Sequence, residues 1–459
     1  MKKILFFDDF YCYHDSNVKR VYKTPDWDFS NIFGWSHYGL GDMCAVRAPE
    51  KGLYIFHLSV TGESDGKYIE TKRRSYTEDG RTVLETVDTP SSDFTSFYDE
   101  HEKDPSHRYK SVHASGNEKH KFIDKYGDTV YQSSVFTSPD TVKWSAYNDS
   151  VISRGILDCW QSIIYNPISG KYQVAARRGL GDRRICIVES ADLITWSEPV
   201  CVLHSGASPV DLPRTHYYSM FQHYSKSSDI FYGLLWKLVM PYEDVCSGPM
   251  NTELVYSYDG SHWNHTGLSL MPVDNIHLND HAYKGSPLGR GLVFSMHEFE
   301  NEMLFYGIAS DFEHQLVLRH REVPGRIMNR HICGGLRKDG LVCYAATDII
   351  GEVRTLNLKM NKPELRLNFR TQSEGYIRAA LCDIYGNELP DFGIDNFEKL
   401  TGDECDFALS GWKGGTVADA CAKSEWIQLR LELRSAELYS IAGDFYANVN
   451  SEGTLYDRP

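Results

Sequence analysis

The 459-residue chain lacks the marks of several common protein classes. It has no apolar run of the roughly 20 residues needed to span a membrane. Its first stretch, MKKILFFDDF, places only Ile4–Phe7 as apolar residues before Asp8-Asp9. A secretory leader needs an apolar core of about 7–15 residues, so a cytoplasmic protein is expected. The 11 cysteines are odd in number and scattered, with no C-x-x-C pair. That argues for reduced thiols rather than a disulfide framework or a zinc site. No G-x-S-x-G or Cys/His elbow supports a Ser or Cys nucleophile. No P-loop or dinucleotide-binding glycine pattern opens a helix. Positive charge is outweighed, 48 Lys and Arg against 63 Asp and Glu, a net −15. Such a chain repels phosphates, which argues against nucleic acid or an anionic membrane as partner. Sustained helical periodicity is also missing from about residue 30 to 325.

What is present is strand and turn. The stretch from Asp158 to Pro199 breaks into Ser162–Tyr165, Lys171–Arg177, Arg184–Glu189 and a last piece around Thr195–Trp196. The breaks carry Asn166-Pro167, Gly179–Asp182 and Ser190-Ala191-Asp192, residues that supply or tolerate turn dihedrals. Four antiparallel strands in about forty residues make one propeller blade. Partners of the Tyr172 strand occur at Gly52–Ser59, His107–Ser115, Ile230–Lys237 and Gly291–Glu298. A turn signature recurs as Ser138/Asp140/Trp144, Ser190/Asp192/Trp196 and Ser257/Asp259/Trp263. Asp and Ser cap such a turn by accepting from its backbone amides, and the Trp fills the space between blades.

The predicted fold class is therefore all-β, a five-bladed β-propeller followed by a C-terminal β-sandwich. The blades fall at about 36–85, 101–150, 155–200, 212–268 and 278–322. The propeller spans 1–325, including the N-terminal strand, and the sandwich spans 326–459. Within the sandwich, Leu365–Phe369 and Tyr376–Asp383 read as strands joined by a turn at Ser373-Glu374-Gly375. WIQLRLELR, Trp426–Arg434, alternates as a half-buried strand should.

Inner strands of a propeller surround a central channel, so the residues opening them face one another. Those positions are Asp42, Asp104, Asp158, His216 and Asp280. Converging carboxylates raise one another's pKa and split their roles. One then serves as nucleophile or base and another as the acid that protonates a leaving glycosidic oxygen. Each Asp also suits a plain turn cap. Arg177, Arg178, Trp236, His297 and Glu298 are candidates to hold the substrate, and Trp160 or Trp236 to stack on a sugar face. Asp9 competes as nucleophile if the N-terminal strand enters the channel mouth. No cofactor is expected. The cluster His277-Leu278-Asn279-Asp280-His281 leaves room for a divalent cation such as calcium at the axis.

Five blades, an Asp at the start of several inner strands, the tripeptide Lys103-Asp104-Pro105 and a trailing sandwich together resemble the five-bladed glycoside hydrolases of families 32 and 43. The opening FFDDF and the GGLRKDG element, Gly334–Gly340, resemble bacterial family-32-like glycosidases most closely. The resemblance implies Asp42, Asp104 and Asp158 as the catalytic carboxylates; strand position in this chain makes Asp9, Trp160, Arg177, Arg178, His216, Trp236, Asp280, His297 and Glu298 the candidates around the substrate. The chain departs from the family in lacking a WMNDPNG-like motif and in having Asp158 where Glu is usual. The expected function is hydrolysis of a small oligosaccharide or furanoside, within carbohydrate metabolism. A non-catalytic carbohydrate-binding propeller and a glycoside phosphorylase are the alternatives. The expected partner is the carbohydrate itself, with the sandwich available for homo-oligomer contacts.

Overall fold

A computed structural model describes residues 2–30, 33–37, 43–49, 51–89, 97–114, 119, 121–123, 129–149, 151–152, 161–179, 182–240, 248–271, 289–310, 313–314 and 329–448. The fold is all-β, a five-bladed propeller with a C-terminal β-sandwich. Blade 1 is built from Met43–Arg47, Leu53–Ser64, Lys67–Thr77 and Glu85–Asp88. Blade 2 is Phe97–Tyr98, Tyr109–Ala114, Ser133–Ser138 and Ser145–Ala146. Blade 3 is Ser162–Asn166, Lys171–Gly179, Asp182–Ser190 and Val200–Leu203. Its outer strand therefore begins after Trp196, which sits in the preceding turn. Blade 4 is Thr215–Ser225, Ile230–Val239, Met250–Ser257 and Asn264–Ser269. In each of these four blades the strands pair antiparallel in chain order, inner to outer.

The recurring turn does what its residues predict. Asp140 Oδ1 accepts from the amides of Val142 and Lys143, Asp192 Oδ1 from Ile194 and Thr195, and Asp259 Oδ1 from Ser261 and His262. Asp79 Oδ1 does the same for Arg81 and Thr82 in blade 1. The residue after each Asp is left-handed, with φ of 79° at Gly80, 65° at Thr141, 63° at Leu193 and 78° at Gly260. Glycine relieves the steric cost of that backbone, about 1–2 kcal/mol for other residues. At Leu193 the cost is set against a side chain buried in the joint between blades 2 and 3. The tryptophans fill the joints in register. Trp144 lies against Cys44, Val46 and Phe56 of blade 1, Trp196 against Val112 and Val135 of blade 2, and Trp263 against Ile164, Ala175 and Ile187 of blade 3.

The ring closes differently. Blade 5 has Arg290–Glu298, Glu302–Ser310 and Asn329–Arg337, and its outer edge is completed by Asp26–Asp28 and Trp35–Ser36 from the N-terminal region. The Tyr306 hydroxyl donates to the Gly80 carbonyl at 2.8 Å, locking blade 1 onto blade 5. The GGLR element is thus the third strand of blade 5 rather than the start of the sandwich. A Cβ on Gly334 would lie 2.7 Å from the Trp27 ring, so glycine is what lets the N-terminal segment close the edge.

The division expected at residue 325 differs from the sheets in a second way. Lys2–Leu5, Cys12–Ser16 and Val18–Tyr22 all pair with the C-terminal sheet. Ile4 pairs with Ile441, and Ile4, Leu5, Phe6 and Phe7 are all buried. An apolar strand this short gains stability only by joining a larger sheet, and Gln428–Ala447 offers it an edge. The chain therefore starts in the sandwich, crosses to seal blade 5, builds the blades and returns. Within the sandwich the predicted turn at Ser373–Gly375 is a bulge in one continuous strand, Leu358–Cys382, which pairs along Gln428–Ala447 on both sides of the irregularity. The sheet absorbs the extra residues by twisting rather than reversing. The expected alternation in burial holds over Leu429–Arg434, whereas Trp426, Ile427 and Gln428 are buried without a break and the strand begins at Gln428.

Candidate functional site at the propeller axis

The axial channel has two ends, one where the inner strands begin and one where they finish. At the leading end, Asp42 directly precedes Met43, the first residue of the inner strand of blade 1. Asp158 precedes the inner strand of blade 3. The inner strand of blade 5 is Arg290–Glu298, which the sequence pattern matches to the second strand of blade 3, so Asp280 lies well ahead of the inner strand in the chain instead of opening it. Asp42, Asp158, Trp160 and Asp280 lie outside the described residues, as does the His277–His281 cluster. His216 is the second residue of the inner strand of blade 4, as predicted, and burial lowers its pKa.

The described leading end is a buried basic and aromatic cluster. Tyr218 is the extra residue of a bulge between the pairs Tyr217–Lys237 and Ser219–Trp236. Bulges re-aim a side chain, and here the ring meets basic side chains and a histidine as well as the Trp236 ring. The Arg177 Cζ lies 4.6 Å from its centroid, the Arg183 Cζ 5.6 Å, and the His314 ring 5.2 Å. Arg177 and Arg290 are each only 1 % exposed. Arg290 donates to Asn329 Oδ1 at 2.8 Å and Ser310 Oγ at 3.2 Å, and burial pushes its pKa down to about 10. His314 exchanges backbone hydrogen bonds with Gly248. Burial, then the positive fields of Arg290 and Arg177, push it down to about 4, so it is neutral near pH 7. Arg178 lies in the second strand of blade 3.

Several predicted residues take other places. Asp104 follows the inner strand of blade 2 instead of opening it, because that strand is only Phe97–Tyr98. Its carboxylate is exposed and accepts from the Ser106 amide at 2.9 Å and hydroxyl at 2.7 Å, capping the short turn Pro105–His107. Those bonds lower its pKa. Asp9 lies on the sandwich, where it accepts from Arg20 and from the Tyr344 hydroxyl, and so does not enter the channel. Trp236 is fully buried between blades 4 and 5, its Nε1–H donating to the Val293 carbonyl at 2.8 Å, so it offers no face to a sugar. His297 and Glu298 end the inner strand of blade 5 and so belong to the opposite end of the channel.

That trailing end opens into a cavity of about 550 Å³ lined by the inner strands of all five blades, through residues such as Arg47, Asp99, Tyr165, Gln222 and His297. Its carboxylates are engaged by other side chains. Asp99 is buried against Lys110 Nζ at 2.8 Å and the Tyr172 hydroxyl at 2.7 Å. Glu298 accepts from the hydroxyls of Ser225 and Ser227, and Glu100 pairs with Lys226. Lys3 reaches the Ser227 hydroxyl at 3.3 Å and Asp339 at 2.8 Å, tying this end to the sandwich. Asp99, Gln222 and His223 escape a reading that looks only at the start of inner strands. Their signal is polar residues inside an apolar inner strand, as in the run THYYSMFQHYS. Among the described residues no group of three His, Cys, Asp or Glu is placed to hold a metal ion, and no described helix is long and apolar enough to cross a membrane.

No protein-family model and no curated protein matches the sequence. Solved structures give distant likenesses. One is an N-acetylgalactosamine deacetylase from F. plautii in complex with blood group B trisaccharide, 12% identical, covering 71% of this chain and 97% of its own, with a TM-score of 0.43. A thermostable family-43 glycoside hydrolase is 12% identical over 66% of this chain and 92% of its own, with a TM-score of 0.41. A structure from the GH130 family of mannoside phosphorylases, which contains glycoside hydrolases that target β-1,2 mannosidic linkages in Candida mannan, is 10% identical over 72% of this chain and 96% of its own, with a TM-score of 0.37.

Proposed function

We propose that the chain is a carbohydrate-active enzyme, a glycosidase that cleaves a small oligosaccharide or furanoside at the leading end of the propeller axis. The observation that carries this reading is the buried cluster of Arg177, Arg290, Tyr218 and His314, set where Asp42 and Asp158 lead into inner strands. A basic, aromatic site of this kind is complementary to carboxylates and sugar hydroxyls. In this reading Asp42 acts as nucleophile or base. Asp158, raised in pKa by its like-charged neighbours, donates its proton to the leaving glycosidic oxygen. Asp280 and His216 border the substrate, and Trp160 supplies a stacking face. Arg177 and Arg178 hold hydroxyls.

A panel of chromogenic glycosides tests the reading. Turnover by the wild type, lost in Asp158→Asn and in Asp42→Asn, supports it. No turnover on any member, or unchanged turnover in both variants, removes it. A second reading, phosphorolysis, is favoured by the gathering of Arg177 and Arg183 around the Tyr218 ring, since neighbouring guanidiniums suit a phosphate. Turnover that requires inorganic phosphate and yields a sugar phosphate distinguishes it from hydrolysis.

A further inference from the structure

We infer that the trailing end of the channel is a second ligand site, built for a neutral, hydroxyl-rich molecule of sugar size. Gln222, in the inner strand of blade 4, lines the cavity and is only 3 % exposed, yet neither its amide nitrogen nor its amide oxygen has a hydrogen-bond partner among the described residues. Burying an amide without partners is unfavourable, so the group is placed for something that enters. Its neighbour His223 is in the same condition at Nε2. The other ring nitrogen of His223 donates to the Phe294 carbonyl, which leaves Nε2 with its lone pair in the neutral ring. His297 donates from Nε2 to the Ala45 carbonyl at 3.0 Å, which makes its Nδ1 an acceptor too. Burial lowers both imidazoles, His223 to about 3 and His297 to about 4, so both are neutral near pH 7.

The cavity thus presents amide donors, an amide acceptor and neutral imidazole acceptors. Hydroxyl groups, which donate and accept together, complement that set. An anion finds lone pairs facing it, and a cation finds the carboxylates already engaged by Lys110, Lys226, Ser225 and Ser227. The rings of His101 and Tyr165, 4.2 Å apart, give one wall an aromatic surface. Arg47 stands exposed at the rim as a further donor. The volume of about 550 Å³ lies in the range of small-molecule pockets, roughly 300–1,000 Å³. The inference does not depend on the glycosidase reading, which concerns the opposite end.

Calorimetric titration of the full chain with D-glucose, D-galactose, D-mannose and D-fructose tests it. At least one hexose is expected to bind, with affinity reduced about tenfold or more in Gln222→Met and by a smaller factor in Arg47→Ala. Asp158→Asn is expected to keep the binding. Gln222→Met preserves volume and removes an unpartnered amide, so its thermal unfolding is expected at or above the wild-type temperature. Failure of all four sugars to bind the wild type, leaving the cavity to water alone, overturns the inference. So does binding that survives both Gln222→Met and Arg47→Ala, or is lost in Asp158→Asn. A steep loss of stability in Gln222→Met also overturns it, because the amide is then a structural partner. Arg47 is exposed, so its variant folds and keeps the test decisive.

Discussion

The two ends of the axial channel are built from the same five strands and differ in what those strands carry. The leading end buries guanidiniums and a bulged tyrosine, with aspartates next to it in the chain. The trailing end engages its carboxylates internally and leaves neutral amide and imidazole groups facing a cavity. Buried charge is a device for chemistry, because it shifts pKa values and holds developing charge. Neutral groups without partners are a device for recognition. The trailing end is also where Lys3, Ser227 and Asp339 join the sandwich to the propeller, so it is anchored on two sides.

The comparison can be broken at several points. The largest effect is expected at the leading end. Asp42→Asn is expected to reduce turnover about 10²–10⁴-fold, measured as kcat/KM on the best chromogenic substrate, with sugar binding at the trailing end intact. Next comes Lys110→Met, which leaves the buried Asp99 carboxylate without its cation. A loss of about 3–5 kcal/mol is expected, read from the denaturant midpoint. A comparable loss, about 3–5 kcal/mol, is expected for Trp263→Ala in the blade 3–4 joint, and less for the more exposed Trp144→Ala in the blade 1–2 joint.

A smaller effect is read through pH. His223 and His297 titrate at about 3 and about 4 in the folded chain, against 6.5 when exposed. Below pH 6.5 the unfolded chain takes up protons that the folded chain does not, so stability falls as pH drops from 6.5 toward 4. His223→Phe is expected to flatten that fall, checked by chemical denaturation across the same pH range. An unchanged slope contradicts the neutral state assigned to this pair.

The propeller was legible because its signals are local. Each S-x-D turn is completed within a few residues, and the Trp that follows reports the joint with the preceding blade. Leu429–Arg434 was legible for the same reason, since strand alternation needs no partner to be read. The N-terminal strands were not, because Ile4 finds Ile441 only after the whole chain has returned. Glu374 and Gly375 read as a turn by residue type, yet the long partner strand keeps Leu358–Cys382 continuous through them. Asp104 was misplaced along the axis because an inner strand of two residues, Phe97–Tyr98, leaves no periodicity to register against. Gln222 and His223 carry no motif, and only the cavity shows them together.

The central claim is that chemistry sits where the inner strands begin. The direct measurement is glycoside turnover by Asp158→Asn beside Asp104→Asn, two aspartates that the resemblance treats alike and the fold sets apart. The account predicts a loss of about 10²–10⁴-fold for Asp158→Asn and wild-type turnover for Asp104→Asn, an exposed turn cap. Wild-type turnover in Asp158→Asn together with loss in Asp104→Asn contradicts it.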